Sequence, residues 1–154
     1  MRWCLENDGV FTVSSLYRDL VAQGTYDWMP RQFWKAKVPS KHKLLAWLVA
    51  HYRAPTRVVL RSFGMLLNED HCELCGQESE SFNHLFLRCS FSGYIWNTLT
   101  SLFSLPDVPK DVRELWTSWR SLNVNPSRRA SYDMVVIAAC WVIWIERNRR
   151  IVLK

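Results

Sequence analysis

Apolar positions recur along most of this chain at intervals of three and four residues, the pattern of helices that bury one face. The clearest stretch runs from Lys41 to Arg53 behind Pro39-Ser40. Leu44, Leu45, Trp47, Leu48, Val49 and Tyr52 cover much of its circumference, and Ala54-Pro55 stops it. Thr56 stands where it can cap a short helix from Arg57 to Phe63, closed by Gly64. Phe91, Ile95, Leu99, Leu102 and Phe103 predict a further helix, Pro106 and Pro109 a linker, and Val112, Leu115, Trp116 and Trp119 another amphipathic turn set. Asn125-Pro126 opens a final helix reaching about Arg150, whose terminal arginines suit the negative end of its dipole. Its apolar middle, Met134 to Ile145, is too short to span a bilayer and reads as fully buried. Upstream, Val10-Phe-Thr-Val13 alternates like a strand, Ser14 to Gly24 suits a capped helix, residues 25–33 read as a loop through Pro30, and Trp34 to Val38 is ambiguous. The fold class expected is mainly α, a small helical domain with little strand. At 154 residues it forms one domain, 1–154.

Composition sharpens this picture in one respect, the placement of charge. The net charge is +6, yet residues 31–61 alone hold eight bases and no acid, leaving twelve bases against fourteen acids elsewhere. A basic cluster of this kind is the footprint expected for a polyanion partner, and Lys35, Lys37, Lys41, Lys43, Arg53 and Arg57 are the candidate nucleic-acid contacts. Aromatic rings interleave with these bases at Phe33-Trp34-Lys35 and at Trp47 to Arg53, as in proteins that stack bases on rings while cations follow the backbone. Residues 68–80 have the opposite balance, with Glu69, Asp70, Glu73, Glu78 and Glu80 and no base.

Within and beyond that acidic stretch stand Cys72, Cys75, His84 and Cys89. Three thiolates and one imidazole make a complete tetrahedral set for Zn²⁺, and a site closed by four protein ligands is structural, since catalysis needs an open position. Gly76 after the second cysteine suits a tight turn, because a residue without Cβ lets the backbone fold back. The last interval is awkward. Residues five apart on a regular helix lie about 140° apart around its axis, so Cys89 must lie at or past the end of any helical turn begun at His84. Two other readings stand beside this one: the Cys72/Cys75 pair as a redox motif, and His71 as ligand in place of His84. Cys4 and Cys140 lie in apolar surroundings and read as packing. An odd total of five cysteines and the lack of a secretory leader point to an intracellular, reducing compartment, and no membrane segment is expected.

The order of these pieces resembles the zinc-binding domain that follows the reverse transcriptase in plant LINE-type, non-LTR retrotransposons. The resemblance rests on Gly9 to Tyr17, Trp34 to Trp47, Pro55-Thr56-Arg57 with Leu60, Cys72-Glu-Leu-Cys-Gly76, His84-Leu-Phe-Leu-Arg-Cys89, Trp96 and the tail Trp141 to Arg150. It implies that Cys72, Cys75, His84 and Cys89 are the zinc ligands, in a knuckle at about 70–90 followed by a helical part at about 110–152. It also implies a domain that helps the element's protein engage RNA or DNA. The chain has no room for a polymerase fold and no Tyr-x-Asp-Asp pair, so the two-metal chemistry of nucleotide addition is not expected. With Met1 just before the first matching motif, a stand-alone remnant or fragment of a longer protein is expected. The function anticipated is a non-catalytic structural-zinc module binding nucleic acid weakly through residues 31–61. The alternative is a structural or protein-interaction module that docked on a reverse transcriptase domain. Polymerase and endonuclease motifs are both lacking.

Overall fold

The computed structural model describes residues 31–62, 71–105, 107–118 and 124–152, which belong to one compact unit, Arg31–Lys154. The strand expected at Val10–Val13, the helix after Ser14, Cys4 and Trp119 lie outside the described residues. Among these residues the elements are α1 (Arg31–Lys35), α2 (Ser40–Ala50), α3 (Arg57–Ser62), a π-helical turn (His84–Arg88), α4 (Ser90–Phe103), α5 (Glu114–Thr117) and α6 (Pro126–Val152). The mainly helical expectation holds. Extended pairing among the described residues is limited to a single antiparallel bridge between His71 and Ser79.

α6 is the spine of the unit, touching α1, α2, α4 and the π turn. Its start is chemically marked. Asn125 Oδ1 accepts the Arg128 amide at 2.8 Å, and Pro126, with no N–H to satisfy, takes the first helical position. Tyr132, Val136, Ile137, Cys140, Ile143 and Arg147 form its buried stripe. The expectation of a fully buried Met134–Ile145 segment is thereby corrected. Val142 and Ile145 are exposed, because the neighbouring helices cover only one side of α6.

The loop expected over residues 25–33 gives way to α1 from Arg31. Phe33 supplies the reason: it is fully buried, with its ring edge-on to Trp116 at 6.4 Å, so packing overrides a weak local signal. α2 stops at Ala50, three residues before the predicted end. Tyr52 takes a left-handed conformation (φ 54°), with Arg53 N–H donating to Leu48 O at 2.7 Å and Tyr52 N–H to Val49 O at 3.1 Å, a Schellman closure. That position favours glycine. Tyrosine is held there by three contacts: its hydroxyl donates to Asp111, its ring meets Phe82 edge-on at 5.3 Å, and the Arg113 guanidinium lies 4.6 Å from the ring. Burial and the Asp111 hydrogen bond push the Tyr52 phenol up to about 12.

α3 begins after Thr56 as expected, but the threonine hydroxyl does not cap it. Glu80 accepts the Arg57 amide at 2.9 Å instead, while Thr56 Oγ1 is buried with no hydrogen-bond partner. The fully buried Glu80 carboxylate also accepts from Arg147 Nη2 at 2.7 Å and Nε at 3.1 Å. One carboxylate therefore ties α3, the acidic segment and α6 together. Removing one partner of such a pair leaves the other charge buried and unmatched, at a cost of about 3–5 kcal/mol. Glu80→Leu is expected to lower unfolding stability by about that amount in urea titration, and adding Arg147→Met is expected to recover most of it.

Candidate metal centre

The acidic segment turns back on itself around the first two ligands, Cys72 and Cys75. Cys72 N–H donates to Glu78 O at 2.7 Å and Gly76 N–H to Cys72 O at 2.7 Å, closing a loop in which Gly76 has φ +70°. A Cβ there would meet nothing within 4 Å. Glycine is thus required by backbone conformation rather than by space, and Gly76→Ala costs only the left-handed strain, about 1–2 kcal/mol. A short helical turn follows, started by Ser81, whose hydroxyl accepts the His84 amide at 3.2 Å.

The five-residue interval from His84 to Cys89 is resolved by the π turn. Cys89 N–H donates to His84 O at 2.7 Å, an i→i+5 bond that widens the turn by one residue and returns both side chains to one side. Cys89 then leaves helical geometry (φ −56°, ψ 140°) and starts α4 as its N-cap. Two carbonyls released by the break find side-chain donors in α4: Ser92 Oγ donates to Leu85 O at 2.5 Å and Trp96 Nε1 to Phe86 O at 2.6 Å. These contacts explain why a serine and a tryptophan occupy the buried face of α4.

The four donor atoms lie within 4.8 Å of one another. Cys72 Sγ and Cys89 Sγ are 3.8 Å apart, and Cys75 Sγ and His84 Nε2 are 3.2 Å apart. A tetrahedral Zn²⁺ with Zn–S of about 2.3 Å and Zn–N of about 2.0–2.1 Å sets S–S edges near 3.8 Å and S–N edges near 3.5 Å, so the residues present fit the ion. Cys72, His84 and Cys89 are buried and Cys75 half-buried. His71 is exposed and outside the cluster.

The surroundings prepare these donors. Glu78 Oε2 lies 3.0 Å from His84 Nδ1, which leaves Nε2 aimed at the ligand position. The Cys72 thiol donating to Cys89 brings the Cys89 thiol down to about 5, with burial opposing and the Phe91 and Ser92 amides assisting. The same hydrogen bond, with burial, drives Cys72 up, so the pair shares one proton. Metal capture displaces that proton and weakens on acidification. Cys140 is separate: burial alone pushes its thiol up to about 12.

Several residues of this centre carry no motif. Glu73 pairs with Arg57, and Arg150 Nη1 donates to Leu74 O at 2.7 Å, so the arginine tail of α6 clamps the outer side of the knuckle. The available signal was charge balance: a segment of acids without bases and a helix end rich in arginine are complementary.

Of the basic candidates, Lys35, Lys37 and Lys41 are exposed, while Lys43 Nζ donates to Trp34 O at 2.8 Å and brings the start of α2 onto α1. Lys41 Nζ lies 5.0 Å from the Trp141 ring centre, on which His42 stacks at 4.1 Å. Arg53 follows the far end of α2, a helix roughly 16 Å long. Arg57 corrects the expectation: its side chain is 15% exposed and committed to Glu73, because α3 packs beside the acidic knuckle. Phe33 and Trp47 are core residues, and Trp34 is exposed.

Metal analysis of purified protein is expected to give one zinc per chain, lost in Cys75→Ser. Glu78→Gln is expected to weaken zinc affinity roughly 10- to 100-fold in a competition titration with a chromogenic chelator, without unfolding the chain.

The family model described as zinc-binding in reverse transcriptase matches residues 11–96, more than half of the chain and inclusive of all four donors. No curated protein and no solved structure gave a match. With the matched segment and the tetrahedral donor cluster in agreement, the chain belongs to the family of zinc-binding domains of reverse transcriptases.

Proposed function

We propose that the chain is a non-catalytic module of a retrotransposon reverse transcriptase protein, of the plant LINE type, that binds nucleic acid weakly through its basic corner. The order of motifs from Trp34 to Cys89, and the tail beyond it, supports the origin. A site with four protein ligands leaves no coordination position for substrate, so zinc serves here to fasten the knuckle.

The observation that carries nucleic-acid binding is the separation of charge. Glu73 and Glu80 are buried in pairs with Arg57 and Arg147, and so add little to the surface field. Lys35, Lys37, Lys41 and Lys43 gather where α1 meets α2, with no acid anywhere in residues 31–61. Arg53 extends the same sign of charge beyond the far end of α2. Such a surface favours phosphates, at an affinity set by few contacts and sensitive to salt.

A second reading has its own observation. Tyr94, Leu102 and Phe103 on α4 and Val142 and Ile145 on α6 are exposed apolar side chains, as expected of a module that docks on a polymerase domain. No helix among the described residues is long and apolar enough to cross a membrane. The free thiols at Cys72, Cys75, Cys89 and Cys140 suit a reducing compartment.

Four lysine–phosphate contacts set the slope of log affinity against log salt at about −2.8 for single strands and −3.6 for duplex. Fluorescence anisotropy across a salt series measures it, and a flat response removes the nucleic-acid reading. Lys41→Glu with Lys43→Glu is expected to abolish binding while leaving zinc content unchanged. Under the docking reading the same pair of substitutions changes nothing.

A further inference from the structure

Six tryptophans lie among the described residues, and five are occupied by packing. Trp47, Trp96 and Trp116 are buried, Trp141 stacks on His42, and Trp144 stacks on Phe86. Trp34 is the exception. It is 41% exposed, and among the described residues its ring meets only Phe33, edge-to-face at 5.0 Å. Its backbone is nevertheless fixed: Phe33 is anchored against Trp116, and Lys43 Nζ holds the Trp34 carbonyl. The exposed ring is therefore carried on a pinned turn.

Its neighbours are cations. Lys35 follows directly, Lys37 is two residues further on, and Lys43 reaches the same turn from α2. Lysines close to an exposed indole in sequence and at its backbone, on a segment without carboxylates, put phosphate-binding charges near a ring of the size and flatness of a base.

We propose that Trp34 is a stacking platform for an unpaired base, so that the ligand of the basic corner is single-stranded nucleic acid. The inference rests on the nucleic-acid reading above and adds its strandedness. Every base has a π-face, which makes the contact tolerant of sequence, but in a duplex both faces are already stacked on neighbours. The lysines attract either form. The indole discriminates between them.

The test compares a fluorescein-labelled single-stranded RNA of about ten nucleotides with the same sequence as a duplex. Trp34→Ala is expected to weaken single-strand binding roughly 5- to 150-fold, to leave duplex binding unchanged, and to keep zinc content at the wild-type level. Trp34→Phe is expected to retain most of the single-strand affinity. Independently of any variant, ultraviolet irradiation of the wild-type protein with RNA containing 5-iodouridine is expected to place the cross-link on Trp34 by peptide mass mapping. Equal affinity of Trp34→Ala and wild type for the single strand, an equal loss for both strand forms, or cross-links only elsewhere would overturn the stacking role while leaving the basic corner intact. A wild-type protein that binds neither form removes both proposals.

Discussion

An imidazole and a thiolate five residues apart must reach one point, and an α-helix cannot bring them there. The i→i+5 bond from Cys89 to His84 answers that constraint, and much of the local architecture follows from it. Widening the turn breaks the regular ladder and releases carbonyls at Leu85 and Phe86, which Ser92 and Trp96 then satisfy from the next helix. Cys89 is at once a ligand and the residue from which α4 starts. The direction in which α4 leaves the knuckle thus follows from the π turn that brings His84 and Cys89 together. The buried indole of Trp96 is both a core side chain and a hydrogen-bond donor that the broken turn requires.

Around this point the charges form a second layer of organisation. Of the described acids in the knuckle, Glu73 and Glu80 are turned inward onto Arg57 and Arg147, while Glu78 stays largely exposed with one oxygen against His84. Buried pairs of this kind contribute little net stability, because desolvation offsets attraction. Their role is positional. Glu80 receives a backbone amide from α3 and a two-pronged guanidinium from α6, so it fixes where these two elements stand relative to the knuckle. Lys35, Lys37, Lys41 and Lys43 collect at the start of α2, which gives the unit a basic corner apart from these buried pairs.

Much of this was legible in the sequence because the signals were local. The Cys72, Cys75, His84, Cys89 spacing marked the donor set, Gly76 its turn, and Asn125-Pro126 the start of α6. Apolar spacing placed α2 and α4. What escaped depended on partners distant in the chain. α1 was hidden because Phe33 becomes helical through Trp116, more than eighty residues away. The early end of α2 needed a left-handed tyrosine, held by Phe82, Asp111 and Arg113. Arg57 looked like a surface cation until Glu73 was seen beside it, and α6 looked wholly buried because twelve apolar residues in a row hide which side faces a neighbour.

The clamp between α6 and the knuckle has a temporal side. Glu73 finds its partner, Arg57, upstream in the chain, but Glu80 leaves the ribosome 67 residues before the guanidinium of Arg147 that pairs with it. The four metal donors, by contrast, all emerge within eighteen residues of one another. Ion capture can therefore precede completion of the spine, while the pairing of Glu80 waits for Arg147. Maturation of this unit is ordered by the direction of translation, with the metal first and the electrostatic lock last.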